Sequence, residues 1–334
     1  MNAAIREMLT THCKLEEVKD GLAPAACWAS QGWREHGGPT LLLVCGNTPG
    51  GEAGVWGRAL CINKTTLQGS MFDYIARGLG RGWAVVVADP HTDAAPHQHL
   101  IRLMEGPLAG KKQLLVVAHS YGAPCTLGMV KSVPSALQRV DALAFTDGMA
   151  WTPAGWTYKA ILAEPVPSDD EITAEAEKQA QKEAQKHSDD GSKDDAASAS
   201  AAAEDLSIEL DAAKLKKKFE ALRAIRDRRA EFAQLAPGAF APPSEEIVAF
   251  VRRVGCNFVA SPEPLGAAVE LESSCTKTVS AAHESHPSTT FTATEGVFAL
   301  LDEAAAAAAA ARGTTNAHDV AAAASGQAAK RQKV

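Results

Sequence analysis

Leu114-Leu115-Val116-Val117-Ala118-His119-Ser120-Tyr121-Gly122 joins a continuous apolar run to a turn of small residues, and Tyr121 to Lys131 reads as a helix. A run without polar alternation suits a strand buried on both faces of a parallel sheet. A serine between such a strand and a helix sits at a strained corner. Its hydroxyl is exposed there, and the first amides of the helix point at a developing oxyanion. The residues two before and two after it have to be small, because strand and helix backbones nearly touch. Gly122 meets this demand, and Ala118 is the next smallest choice. The spacing predicts a nucleophile elbow at Ala118 to Gly122.

Similar runs lie on either side. Thr40 to Cys45 ends in the turn-rich Gly46-Asn47-Thr48-Pro49-Gly50-Gly51, Trp83 to Ala88 ends at Asp89-Pro90, and Val140 to Phe145 ends at Thr146-Asp147-Gly148. Cys256 to Ala260 and Lys277 to Ser280 follow later. Helical stretches fall between them, at Met71 to Gly80, Tyr121 to Lys131, and Ser244 to Val254 with its serine cap. Strand and helix in alternation imply a parallel sheet with right-handed crossovers. The predicted class is therefore α/β, an α/β-hydrolase-like, mostly parallel sheet with helices on both faces.

Composition interrupts this pattern twice. From about Pro165 to Lys218, acidic, Lys, Gln, Ser and Ala residues replace large apolar ones, too few to offset the entropy of ordering. Leu210, Leu215, Phe219, Leu222, Ile225 and Phe232 then recur at helical spacing within an amphipathic stretch from Leu206 to Leu235. The expected organisation is a first part of the domain over 1–164, a charged insertion over 165–235, the remainder over 236–303, and a disordered tail over 304–334.

The formal net charge of −7 argues against the whole chain coating a phosphate backbone, and 5% aromatic content argues against a base-stacking module. Seven cysteines, an odd number with no C-x-x-C pair, read as reduced thiols in a cytosolic or nuclear protein. Met1 to Lys14 does not read as a signal peptide, and no run of ~18 apolar residues predicts a membrane span. Lys330-Arg331-Gln332-Lys333 is a short basic cluster of the kind that serves nuclear import.

A serine of ordinary acidity needs a base, and the base needs an orienting acid. In this fold they follow in the order Ser, Asp or Glu, His. His283 and His286 both follow the last predicted strand. Asp147 and Glu263 both stand after strands, and each also reads as a loop former. His119 reads as core or as a supporting hydrogen-bond partner. The oxyanion donors expected are the Tyr121 amide and the loop containing Gly46 and Asn47. No Gly-Lys-Ser/Thr follows that loop, so it is not a phosphate loop. Asp89, His91, His97 and His99 lack a metal-ligand spacing. Neither cofactor nor metal is expected.

Gly54-Val-Trp-Gly-Arg-Ala-Leu-Cys-Ile-Asn63, Val117 to Gly122, Ala144-Phe-Thr-Asp147 and Cys256-Asn-Phe-Val-Ala-Ser-Pro-Glu-Pro-Leu265 occur in that order. Together they resemble the argonaute-binding-protein-two (Arb-two) domain family, shared with the animal FAM-one-seven-two cotranscriptional regulators. The resemblance spans roughly residues 39–301 apart from the insertion, which in animal members lies before the elbow strand instead. It implies an α/β-hydrolase-like fold and a nuclear, or also cytoplasmic, location. It further implies Argonaute-type, chromatin or silencing partners, with small RNA met indirectly. In the family pattern Ser120, Asp147 and Glu263 fall on matching positions, and His286 rather than His283 is the histidine after the last strand.

Two functions follow as expectations. The resemblance favours a nuclear adaptor in small-RNA-linked silencing, heterochromatin formation or cotranscriptional regulation. The intact serine and histidine support the alternative, a serine hydrolase acting on an ester, thioester or acyl group. RNA binding through Lys214 to Arg229 ranks below both, because Glu and Asp interleave with the cations there.

Overall fold

Residues 2–19, 27–46, 53–90, 96–148, 243–270 and 276–311 are described by a computed structural model. The insertion, its amphipathic stretch, Asn47, His91, Cys275 and the basic tail lie outside these residues.

The strands are β1 (Leu15–Val18), β2 (Cys27–Ser30), β3 (Thr40–Val44), β4 (Ala84–Ala88), β5 (Leu114–His119), β6 (Val140–Thr146), β7 (Gly255–Val259) and β8 (Lys277–Ser280). They form one sheet in the order β1-β2-β4-β3-β5-β6-β7-β8. From β4 to β8 every pairing is parallel, while β1–β2 and β2–β4 are antiparallel. All six strands expected from sequence are present, each within about a residue of its expected bounds. The antiparallel pair β1 and β2 was not expected, because four residues carry too little pattern and β1 breaks alternation with two consecutive exposed glutamates.

Side chains alternate between two apolar layers, as the strand period dictates. Leu42, Val44, Val86 and Val116 enter one layer, with Leu41, Leu43, Val85, Val87, Leu115 and Val117 in the other. The first layer is covered by α5 (Pro96–Glu105), α6 (Gly122–Ser132) and α8 (Glu245–Val254) through Leu100, Leu103, Leu127, Met129, Phe250 and Val251. The second is covered by α1 (Asn2–Thr11), α4 (Phe72–Gly80) and a helix over 294–311, α10, through Leu9, Tyr74, Ile75, Val297, Phe298 and Leu301. Ser244 caps α8, its side chain accepting from the Ile247 amide.

Three short helices are also present, α2 (Arg58–Asn63), α3 (Thr66–Gly69) and α9 (Thr289–Thr292), with a 3-10 turn at His286–Ser288 before α9. A further short helix, α7 (Ala136–Arg139), leads into β6. The tail boundary needs correction. Residues 304–311 are not part of a disordered tail; they continue α10, and Ala304 and Ala305 pack partly on the second layer. Arg81 fixes α10 from outside, with a two-pronged bond to Asp302 at 2.7 and 2.9 Å and its guanidinium over the Phe298 ring.

Candidate active site

The C-terminal ends of β5, β6 and β8 lie along one edge of the sheet and set three side chains beside one another. Ser120 follows β5 at φ +50° and Asp147 follows β6 at φ +47°. A left-handed conformation at a non-glycine residue costs roughly 1–2 kcal/mol and persists only where its surroundings enforce it. Each corner is enforced in the same way, by a ladder bond to the next strand. The Ser120 amide donates to the Thr146 carbonyl at 3.1 Å, and the Asp147 amide donates to the Phe258 carbonyl at 2.7 Å.

The corner at Ser120 also explains Gly122. A Cβ there would stand 2.5 Å from the Cys45 carbonyl oxygen and 2.8 Å from that of Val44. The close approach inferred from the motif is therefore real, and only glycine fits it. Gly46 is tight for a related reason, since a Cβ would meet Ser120 Cβ at 3.1 Å and His119 Cδ2 at 3.2 Å. Its backbone consequently lies against the serine, where the sequence placed one of the oxyanion donors. Tyr121 directly precedes α6 and is half-buried. The other donor expected from that loop, Asn47, is outside the described residues.

His286 Nδ1 lies 2.5 Å from Asp147 Oδ2, and His286 Nε2 lies 3.1 Å from Ser120 Oγ. A carboxylate can only accept, so Nδ1 carries the proton and donates it to Asp147. Nε2 is thereby the acceptor, and the Ser120 hydroxyl donates to it. The His286 side chain keeps 48% of its surface exposed, leaving the hydroxyl–imidazole pair open to a reactant. In chemical terms this is a hydroxyl, a neutral base of the correct tautomer and an orienting acid, within hydrogen-bond reach of one another.

The other candidates fall elsewhere. Glu263 is not joined to the base. It is exposed, and its backbone is fixed by donation to Ser261 Oγ and acceptance from Ser280 Oγ at 2.7 Å. Four residues past the end of β7, it serves the loop, and Asp147 already occupies His286 Nδ1. His283 Nδ1 accepts from the Ser285 amide within its own turn.

Two supporting groups went unread in the sequence. Asn257 is buried within β7, where its Oδ1 accepts from the Gly148 amide at 3.1 Å and its Nδ2 donates to the Gly148 carbonyl at 3.4 Å. It therefore brackets the residue next to Asp147. A single amide inside Cys256-Asn257-Phe258-Val259 was the available signal, since a buried polar side chain needs partners. Thr290 gave no such signal. Its hydroxyl lies 3.0 Å from His119 Nδ1 and 2.8 Å from Thr146 Oγ1.

His119 is buried, its Nδ1 2.9 Å from the Thr146 carbonyl. Burial above all, and then His286 beside it, pushes its imidazole down to about 4, so it is neutral at neutral pH. Among the described residues, no cluster of three His, Cys, Asp or Glu side chains is placed to hold a metal ion, and no helix is long and apolar enough to cross a membrane.

No family model matches the chain, and no curated protein matches it by sequence. Among solved structures it is similar to a histone deacetylase from Saccharomyces cerevisiae, at 12% identity, 43% of this chain, 67% of that one and a TM-score of 0.30. It is also similar to a mutant of a protein described as a "putative epoxide hydrolase" from Pseudomonas aeruginosa, at 15% identity, 87% and 97% coverage and a TM-score of 0.41. A protein described as a "putative lipase" from Acinetobacter baumannii gives 12% identity, 90% and 96% coverage and a TM-score of 0.39. The eight-stranded, mostly parallel sheet and the strained serine corner between β5 and α6 make this chain an α/β-hydrolase fold.

Proposed function

We propose that the protein is a serine hydrolase acting on an ester, thioester or related acyl group, with Ser120 as nucleophile, His286 as base and Asp147 as acid. The observation that carries this reading is the continuous line Ser120 Oγ–His286 Nε2 and His286 Nδ1–Asp147 Oδ2, at 3.1 and 2.5 Å. Ser120 Oγ bonds to the acyl carbon while its proton passes to His286 Nε2. Asp147 stabilises the imidazolium so formed, and the Tyr121 and Gly46 amides receive the oxyanion. Collapse breaks the bond to the leaving group, which takes the proton from Nε2. Water, deprotonated by the same nitrogen, then releases the acid and restores the serine.

The adaptor reading with silencing partners keeps its support from sequence resemblance. One of the stretches that carry it, Asn257 to Leu265, begins with Asn257 and Phe258, both of which hold the Asp147 corner. That link to chemistry places the hydrolase reading first. The test is labelling with a fluorophosphonate probe. Labelling that disappears in Ser120→Ala supports the reading, and equal signal in both proteins, or none in either, removes it.

A further inference from the structure

Behind the exposed relay lies a buried one that the proposed chemistry does not use. The His119 ring stacks on the His286 ring, with centroids 5.1 Å apart and planes inclined by 28°. Its Nδ1 faces three oxygens: the Thr146 carbonyl at 2.9 Å, Thr290 Oγ1 at 3.0 Å and Thr146 Oγ1 at 3.2 Å. A carbonyl only accepts, so Nδ1 is the protonated nitrogen and both hydroxyls can share its proton. The two hydroxyls also bond each other at 2.8 Å, and Tyr74 Oη donates to the Thr290 carbonyl at 2.7 Å from α4. Trp56 stands edge-on to both His119 and Tyr74.

Each of these contacts is one short step from the relay. His119 precedes Ser120, Thr146 precedes Asp147, and Thr290 lies one helical turn after His286. The carbonyl of His286 is itself held by Thr289 Oγ1 at 2.8 Å. One buried ring thus touches the three chain segments that bear nucleophile, acid and base, and its face supports the base directly.

We infer that His119 is a positioning residue, an aromatic platform held by the Thr146–Thr290 hydroxyl pair, whose stacked ring fixes the plane and tilt at which His286 keeps its Nδ1–H on Asp147. This rests on the reading of Ser120, His286 and Asp147 as one relay. A half-exposed imidazole has several rotamers available, and the Asp147 bond alone fixes only one of its atoms. The platform fixes the plane of the ring. An uncharged platform also leaves the imidazolium over an electron-rich face instead of beside a like charge.

The experiment reads the His286 ring without needing turnover. Nitrogen-15 spectra of the imidazoles report which ring nitrogen is protonated in the full-length protein. Two variants are compared with the parent: His119→Phe, which keeps a ring but removes the Nδ1 donor, and Thr290→Val, which removes one hydroxyl at nearly constant shape. The parent is expected to hold His286 as the Nδ1–H tautomer. Both variants are expected to fold and to show that tautomer mixed with the Nε2–H form, with fluorophosphonate labelling at least about tenfold slower. An unchanged His286 spectrum in the folded variants overturns the inference. So does failure of both to fold, which would assign His119 to the core alone. A parent that never labels at Ser120 would end the hydrolase reading while leaving the spectrum free to decide the role of His119.

Discussion

Asp147 and Glu263 are carboxylates that follow neighbouring parallel strands, and the chain treats them oppositely. Asp147 sits in a left-handed corner whose amide is tied to Phe258, beside a glycine bracketed by Asn257, and it points at His286 Nδ1. Glu263 sits past the edge of the sheet with its backbone bonded to two serines and its side chain in solvent. Being acidic and following a strand is thus not enough. Both backbones are held by their neighbours, so what separates the two acids is place: only Asp147 ends a strand beside His286, and its side chain has a fixed partner while that of Glu263 has water.

The largest expected effect comes from breaking the favoured member. Asp147→Asn keeps the shape but offers no anion to His286, and acyl transfer should fall by about 10⁴-fold, measured as the pseudo-first-order rate of fluorophosphonate labelling. A retained rate would mean that another carboxylate serves the base.

The second effect is on acid stability, and it belongs to the buried ring beside the Asp147 corner. His119 is held neutral, with its folded value depressed from 6.5 to about 4. The unfolded chain therefore binds an extra proton between these values, and stability present above about pH 6.5 is lost as pH falls towards 4. His119→Phe has no such proton to bind. Urea unfolding at pH 7 and pH 4.5 should show parent stability dropping by on the order of 2 kcal/mol more than that of the variant. Equal drops would show that the ring is reached by water.

Third, Asn257→Ala leaves both Gly148 groups without their side-chain partner and loosens the acid corner. Labelling should slow by roughly 10- to 100-fold, with stability lower by about 1–3 kcal/mol. Smallest of all, Glu263→Gln should leave the labelling rate within about twofold of the parent, since nothing in the relay touches its side chain. A large loss there would undo the contrast between the two acids.

The fold was legible where burial is two-sided. Strands β3, β4 and β5 are continuous apolar runs because both faces are covered. β1 and β2 escaped because they are short, and α5 because its first turn, Pro96-His-Gln-His99, hides the apolar Leu100, Leu103 and Met104 behind polar residues. At the site, Ser120 was legible from small neighbours that the backbone demands, and His286 from family pattern. The choice between acids was not, since it depends on which strand end His286 reaches in space. Asn257 showed only as a lone amide in an apolar run and Thr290 not at all, because their partners, Gly148 and His119, are distant in sequence.

The pairing of β6 with β7 carries a consequence for how the protein is made. Thr146 lies beside Phe258, yet roughly a hundred residues of chain separate the two strands. Closing a span of that length costs about 2 kcal/mol more than closing a crossover of about a dozen residues. During synthesis the strands through β6 emerge first and have local partners, whereas β7 must find its edge across that span. The hydroxyl of Ser120 is therefore present on a growing chain well before the imidazole arrives that would activate it. On the proposed reading, a nascent chain carries an unarmed serine until the segment from β7 onward has docked.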